Sequence, residues 1–332
     1  MSKTIRVAIN GFGRIGRVFT RFAMENPQIE LVAINDLTDE KTLAHLLKYD
    51  SVHRRFNGSV EAGSKCLIVN EKVIYCYAEK DPANLPWKDL NIDVVIESTG
   101  HFTTTEGAQK HITAGAKKVI ISAPAKSDEI KTIVLGINDD LLNQDDVILS
   151  NASCTTNCAS PMIQLIHQHC EIESCYVSTV HSYTGDQRLH DAPHADLRRS
   201  RAAAVSIIPT TTGAAKAITK IFPDLEGKVG GCGIRVPVPD GSLTDITFIV
   251  KNAKTVEEIN AIFKKASEGR LKGILEYTED PVVSVDCIGN RHSCVFDAQL
   301  TSVIGKMVKV VGWYDNESGY SARLVDLVMK IA

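Results

Sequence analysis

Apolar residues in the first half of the chain come in short unbroken runs, and between those runs they recur at helical spacing. Ile5–Ile9, Leu31–Ile34, Val94–Glu97, Lys118–Ser122, Thr132–Leu135 and Val147–Ser150 read as buried strands bounded by Gly, Asn or Pro. Arg14–Glu25, Glu40–Lys48 and Thr104–Ala114 read as helices by their apolar period. Strand and helix in alternation predict a doubly wound, mostly parallel α/β sheet covered on both faces. After about residue 153 the texture changes. Long β-branched segments, Tyr176–His181, Lys228–Val238, Leu243–Lys251, Val282–Val285 and Lys306–Trp313, alternate with fewer helices, chiefly Thr155–His169, Thr211–Ile221 and Val256–Glu268. This part reads as an α+β domain, a sheet backed by helices. Ser321–Ile331 reads as a last helix that packs back onto the first domain.

Length supports this division, because 332 residues exceed what one hydrophobic core usually organises. A net charge of −3 provides no global basic field to recruit nucleic acid or a membrane, so an anionic ligand needs a local pocket. The head of the chain, Met1-Ser2-Lys3-Thr4-Ile5-Arg6, leads into an apolar run too short for a signal peptide. No run reaches the roughly 18 apolar residues of a membrane helix. Nine cysteines, an odd number without framework spacing, suit reduced thiols in the cytoplasm.

Two segments carry candidate chemistry. In Val7-Ala8-Ile9-Asn10-Gly11-Phe12-Gly13-Arg14-Ile15-Gly16 a strand leads through G-x-G-x-x-G into a helix. Gly11 permits the turn, Gly13 lets a pyrophosphate approach, and Gly16 lets helix and strand pack, with Arg14 and Ile15 opening the helix. The second strand ends at Asp36, twenty residues after Gly16, where a carboxylate accepts from adenosine ribose hydroxyls. That carboxylate also repels a 2′-phosphate, which favours NAD over NADP.

The second segment is Ser153-Cys154-Thr155-Thr156-Asn157-Cys158, a strand end opening a helix. A thiol at a helix N-terminus is biased toward thiolate, which makes Cys154 a candidate nucleophile, with Cys158 one turn deeper. Core thiols, zinc ligands or a redox pair remain open alternatives on spacing alone. No second ligand cluster converges for zinc, and no metal is expected. His181 ends an apolar strand and is the candidate base. His45, His53, His101, His111 and His292 have no evident chemical company and read as structural or exposed; His190 and His194 read as surface or interface residues.

The Asn10–Gly16 turn, the Ser153–Cys158 segment and His181-Ser182-Tyr183-Thr184 resemble phosphorylating glyceraldehyde-3-phosphate dehydrogenases. So do Asp196-Leu197-Arg198-Arg199, Thr212-Gly213-Ala214-Ala215, Arg235-Val236-Pro237 and Trp313-Tyr314-Asp315-Asn316-Glu317. The likeness runs nearly end to end. It implies a Rossmann domain over residues 1–153, completed by a helix at about 317–332, and a catalytic domain over 154–316. It also implies oxidation of glyceraldehyde 3-phosphate through a Cys154 thioester that inorganic phosphate cleaves, with NAD as cofactor and His181 as base. By the same likeness Ser153, Thr155, Thr212 and Gly213 line the site of the attacking phosphate, and Thr184, Arg199 and Arg235 hold the substrate phosphate. An ion pair at a surface or subunit interface is the plain alternative for Arg199. Asn316 would hold the nicotinamide carboxamide with Ser122 nearby, while Lys80 stands where the family often has arginine near adenine. A homotetramer is implied, with the Tyr183–Ser206 loop reaching a neighbour. Ala192-Pro193, Gly231-Cys232-Gly233-Ile234 and Val238-Pro239-Asp240-Gly241 depart from the commoner forms and point to altered packing and some NADP tolerance. Erythrose-4-phosphate dehydrogenase, a relative with the same thiol, and a non-enzymatic dinucleotide-binding protein are the rival readings.

Overall fold

A computed structural model describes residues 4–332, leaving Met1, Ser2 and Lys3 of the N-terminal run outside it. The chain divides into two compact units. One comprises the residues up to Ile133, Asp140–Ala152 and Ser321–Ala332; the other comprises Val134–Asp139 and Ser153–Tyr320.

The first unit contains β1 (Ile5–Asn10), α1 (Arg14–Ala23), β2 (Ile29–Asn35), α2 (Glu40–Lys48), β3 (Val60–Gly63), β4 (Cys66–Val69), β5 (Lys72–Tyr77), β6 (Val94–Glu97), α3 (Thr105–Thr113), β7 (Lys118–Ile121), β8 (Lys131–Thr132) and β9 (Ile148–Ser150). Its sheet runs β3-β4-β5-β2-β1-β6-β7-β9-β8, parallel from β5 onward and antiparallel among β3, β4 and β5. Strand order reverses at β1, so the crevice beyond the carboxyl ends of β1 and β6 is where a ligand of such a sheet sits. Both strands are almost wholly buried there.

The second unit contains α4 (Cys154–Cys170), β10 (Ile172–Ser182), β11 (Ile208–Thr210), α5 (Ala214–Ile221), β12 (Val229–Val236), β13 (Ser242–Val250), α6 (Val256–Glu268), β14 (Leu275–Thr278), β15 (Cys294–Asp297), β16 (Ser302–Ile304) and β17 (Met307–Tyr314). Its mixed sheet runs β11-β12-β10-β13-β17-β15-β14, with β16 paired to β17. One core joins Cys158, Met162 and Ile166 of α4, Ile218 of α5 and Phe263 of α6 to Val177, Ile246, Phe248 and Val310 of the strands. Phe263 stacks on Phe296 at 3.8 Å. Thr255 and Glu258 close a reciprocal capping box that starts α6. The last helix, α7 (Ser318–Ile331), passes its residues from Ser321 onward to the first unit.

Two expected strands are corrected. Val282–Val285 is a loop entering a short 3-10 turn, because the Asp286 carboxylate accepts from the Val283 N–H at 2.8 Å; Val283 and Val285 are exposed. In Thr132–Leu135 pairing stops after Thr132. The Val134 N–H turns to Asn138 Oδ1 at 2.8 Å, so the residues after Ile133 are buried yet unladdered.

Candidate active site

Cys154 is the first residue of α4. Ser153 caps that helix by accepting from the Thr156 N–H at 3.1 Å, so the thiol stands at the positive end of the helix. Cys154 Sγ lies 3.4 Å from His181 Nε2, within reach of a hydrogen bond to sulfur. His181 is brought there by β10, where parallel pairing with β12 sets it beside Arg235. Arg235 Nη1 contacts Ser182 O at 3.0 Å, Thr184 Oγ1 at 3.1 Å and His181 Nδ1 at 2.9 Å. Nη1 has two hydrogens, which the two oxygens take. The imidazole then keeps its own Nδ1 proton for Ser182 O at 2.8 Å and leaves Nε2 as an acceptor facing sulfur.

Burial pushes the Cys154 thiol up to about 11 despite the pull of Arg235 and the Thr155 N–H and hydroxyl, so a helix terminus alone does not make it a thiolate. Burial, then Arg235, pushes His181 down to about 3. Each shift is the cost of charging one group by itself. Charged together, thiolate and imidazolium neutralise one another in contact, which offsets desolvation as neither does alone.

Around this pair the phosphate candidates divide. Thr184, Arg199 and Arg235 are joined through Asp186: its carboxylate accepts from the Thr184 hydroxyl and from Arg199 Nη1, and the two arginines help hold it below the usual carboxylate range against burial. Arg199 also donates to Thr210 Oγ1 at 3.0 Å and pairs with Asp196. Its guanidinium therefore makes the ion pairs of the plainer reading here. Ser153 and Thr155 point their hydroxyls inward, to Thr156 Oγ1 at 2.8 Å and to Tyr314 O–H at 2.9 Å. Gly213 caps α5 without a side-chain bond and has open space where a Cβ would stand, while Thr212 Oγ1 accepts from the Ala214 N–H at 3.2 Å.

In the first unit the glycine turn has the form a dinucleotide needs. Gly11 has φ +91°, and a Cβ there would meet the Thr99 N at 2.7 Å; one on Gly16 would meet Gly11 O at 2.4 Å. Gly13 faces open space, and no side chain caps α1, so its N–H end is open to a pyrophosphate. The Asp36 carboxylate is held at the turn by the Phe12 N–H at 2.8 Å and by the Thr38 N–H at 3.0 Å. Arg14 is engaged by Asp50, at 2.6 and 3.1 Å, which leaves its backbone as its contribution to a cofactor. Ile15 is half-buried in that first turn and Lys80 is exposed; the Ser122 N–H donates to Glu97 O at 2.9 Å. In the second unit Asn316 Oδ1 accepts from Ser182 Oγ at 2.9 Å and Ser242 Oγ at 2.7 Å. Its NH2 group is the end left to donate, which fits a carboxamide oxygen.

Family models for the glyceraldehyde 3-phosphate dehydrogenase NAD-binding and C-terminal domains match residues 5–105 and 153–316. Relatives span the whole chain. The glyceraldehyde-3-phosphate dehydrogenase of Geobacillus stearothermophilus is 56% identical over 99% of this chain and 98% of its own. That of Thermotoga maritima is 60% identical over 97% of each. The chain belongs to the glyceraldehyde-3-phosphate dehydrogenase family. It is an NAD-dependent oxidoreductase with that family's activity, and its doubly wound unit is the Rossmann-like NAD-binding domain. No helix among the described residues is long and apolar enough to cross a membrane.

Within this dehydrogenase-family fold two residues of the site escaped sequence reasoning. Asp186, two residues beyond Thr184, pairs with Arg199 and lies in the field of Arg235. Tyr314 is buried, with its hydroxyl 2.9 Å from both Thr155 and Thr179 and its ring edge-on to His181 at 5.9 Å. A tyrosine on the apolar phase of β17, with Val308 and Val310, was the available signal, since a buried phenol requires partners.

Proposed function

We propose that this enzyme converts glyceraldehyde 3-phosphate, NAD and inorganic phosphate to 1,3-bisphosphoglycerate and NADH through a thioester on Cys154. The 3.4 Å contact between Cys154 Sγ and His181 Nε2 carries this reading. Sulfur bonds to the aldehyde carbon as its proton passes to Nε2, and Nε2 hands that proton on to the carbonyl oxygen, which becomes the hydroxyl of a hemithioacetal and leaves His181 neutral. His181 then takes the hydroxyl proton as the carbon surrenders hydride. NAD, when bound, supplies the hydride acceptor. A phosphate oxygen attacks the thioester carbon, the carbon–sulfur bond breaks, and the acyl phosphate leaves with Cys154 restored. Arg235 and Thr184 bind substrate anion beside the base, with Arg199 released from Asp186 as phosphate arrives. Thr212 and Gly213 at α5 hold the attacking phosphate; Asp36 takes the adenosine ribose, and Asn316 the carboxamide.

Exposed Leu189, Leu197, Val205 and Ile207, with relative exposures of 71, 80, 80 and 69%, support a homotetramer in which the loop following His181 is covered by a neighbouring subunit. Nine free cysteines suit the cytoplasm. The test follows NADH absorbance with and without phosphate. Turnover with glyceraldehyde 3-phosphate should need phosphate and vanish in Cys154→Ser. Turnover indifferent to phosphate, or surviving without the thiol, would refute the thioester route, and preference for erythrose 4-phosphate would refute the substrate.

A further inference from the structure

Beneath the glycine turn of the first unit, where a hydrophobic floor is expected, lies a continuous buried polar chain. Glu97, the last residue of β6, is 1% exposed, and His111 of α3 is fully buried. One carboxylate oxygen of Glu97 accepts from Asn10 Nδ2 at 2.6 Å and from His111 Nε2 at 3.0 Å. The other accepts from the Thr99 N–H at 2.9 Å and from the Thr99 hydroxyl. Trp87 Nε1–H donates to His111 Nδ1 at 3.1 Å, which fixes the tautomer with its proton on Nε2, toward Glu97. On the other side Asn10 Oδ1 accepts from Asn35 Nδ2 at 2.7 Å. Asn35 in turn brackets Glu79, donating to its carbonyl at 2.9 Å and accepting from its N–H at 2.8 Å. His111, which in the sequence has no chemical company, is thus bonded at both ring nitrogens.

What this chain ties down is specific. Asn10 precedes Gly11, Asn35 precedes Asp36 and Glu79 precedes Lys80. Thr99 supplies the backbone N that leaves no room for a Cβ on Gly11. Each anchored residue adjoins a position assigned above to the adenosine half of the cofactor. We propose that Glu97, with its tautomer-locked partner His111, is a positioning residue that sets the four backbone segments around the adenosine diphosphate moiety. The proposal rests on the assignment of Gly11 and Asp36 to that moiety. Glu97 itself lies under the turn and acts through its neighbours, as residues behind a first layer of ligands commonly do.

The carboxylate suits this place because three of the four groups facing it, Asn10 Nδ2–H, His111 Nε2–H and Thr99 N–H, can only donate, and the fourth, the Thr99 hydroxyl, donates here. A glutamine that turns its NH2 group toward Asn10 and His111 loses both of those bonds; turned toward Thr99 it can donate to the hydroxyl but loses the bond from the backbone N–H. His111 cannot adapt by moving its proton to Nδ1, because the Trp87 indole N–H already points there. Removing that N–H as well, in Glu97→Gln/Trp87→Phe, lets the imidazole switch tautomer and accept from the new amide.

Calorimetric titration of the full-length enzyme with NAD and with ADP-ribose tests this, alongside steady-state kinetics and melting temperature. Glu97→Gln should weaken both ligands by the same factor, about tenfold, raise KM for NAD and leave kcat at saturating NAD unchanged. The double variant gives the amide a second orientation that loses one bond, so it should bind ADP-ribose no more weakly than Glu97→Gln. Thr99→Val, which removes one hydroxyl, should weaken ADP-ribose a few-fold, and it decides the matter if Glu97→Gln does not fold. Asp36→Ala tests the site assignment itself. Unchanged ADP-ribose affinity in Glu97→Gln with a lowered melting temperature, or in Thr99→Val, would make the network purely structural and overturn the proposal. If Asp36→Ala also binds ADP-ribose normally, the site assignment has failed instead.

Discussion

Charging Cys154 by itself and charging it together with His181 are different problems, and only the second is soluble in a buried site. The thiol is pushed up to about 11 and the imidazole down to about 3 by the same burial, so neither is an independent acid or base at neutral pH. Arg235 weights the balance toward sulfur, since its charge favours a thiolate and disfavours an imidazolium. Replacing His181 with asparagine removes the proton acceptor while leaving the desolvation cost in place. Alkylation of Cys154 by iodoacetamide at neutral pH should slow at least tenfold, and kcat should fall about 100-fold or more. An unaltered alkylation rate would mean that His181 does not activate the thiol. Cys154 and His181 stood out in the sequence because each sits where an apolar element ends. Tyr314 and Glu97 did not, because each depends on a remote partner: Thr155 lies 159 residues from Tyr314, and Asn10 lies 87 from Glu97.

At the scale of elements, α1 is held to the loop after α2 by the Arg14–Asp50 pair. The Asp50 side chain is buried, which raises its pKa, but the Arg14 guanidinium and the N–H groups of His53 and Val52 outweigh burial and bring it to about 2. A carboxyl depressed in the folded state stabilises above its unfolded pKa, near 3.9, and that contribution disappears as pH falls through 2. Asp50→Asn should therefore cost about 2 kcal/mol at neutral pH, with the difference from the parent closing between about pH 4 and pH 2. A deficit unchanged at pH 2 would assign the loss to packing. Strands buried on both faces, such as Val94–Glu97, were readable because nothing polar interrupts them until the edge. The β3-β4-β5 meander was missed because its strands are only four to six residues long, Glu61 and Lys72 are charged, and Val73 and Tyr75 face outward at 50 and 48% exposure. Val282–Val285 erred oppositely, since β-branched residues implied a ladder where an aspartate closes a turn.

At the scale of the whole chain, the NAD-binding unit is assembled from three separate stretches, the last beginning at Ser321. Leu324, Leu327 and Val328 in that stretch are almost wholly buried, and each contributes about 1.5–3 kcal/mol by leaving water. That sum is comparable with the net stability of an ordinary domain. A chain ending at Tyr320 should lose cooperative melting of the first unit and its NAD binding in calorimetry. Retained NAD affinity in the shortened chain would show that the helix is dispensable. The same feature orders events at the ribosome. The glycine turn and Asp36 emerge before the thiol, yet the domain they serve waits for Ser321–Ala332, whereas every residue of the thiol-bearing unit has by then been made. Synthesis thus completes the nucleophile's half of the enzyme before the half that binds its oxidant, although the latter is begun earlier.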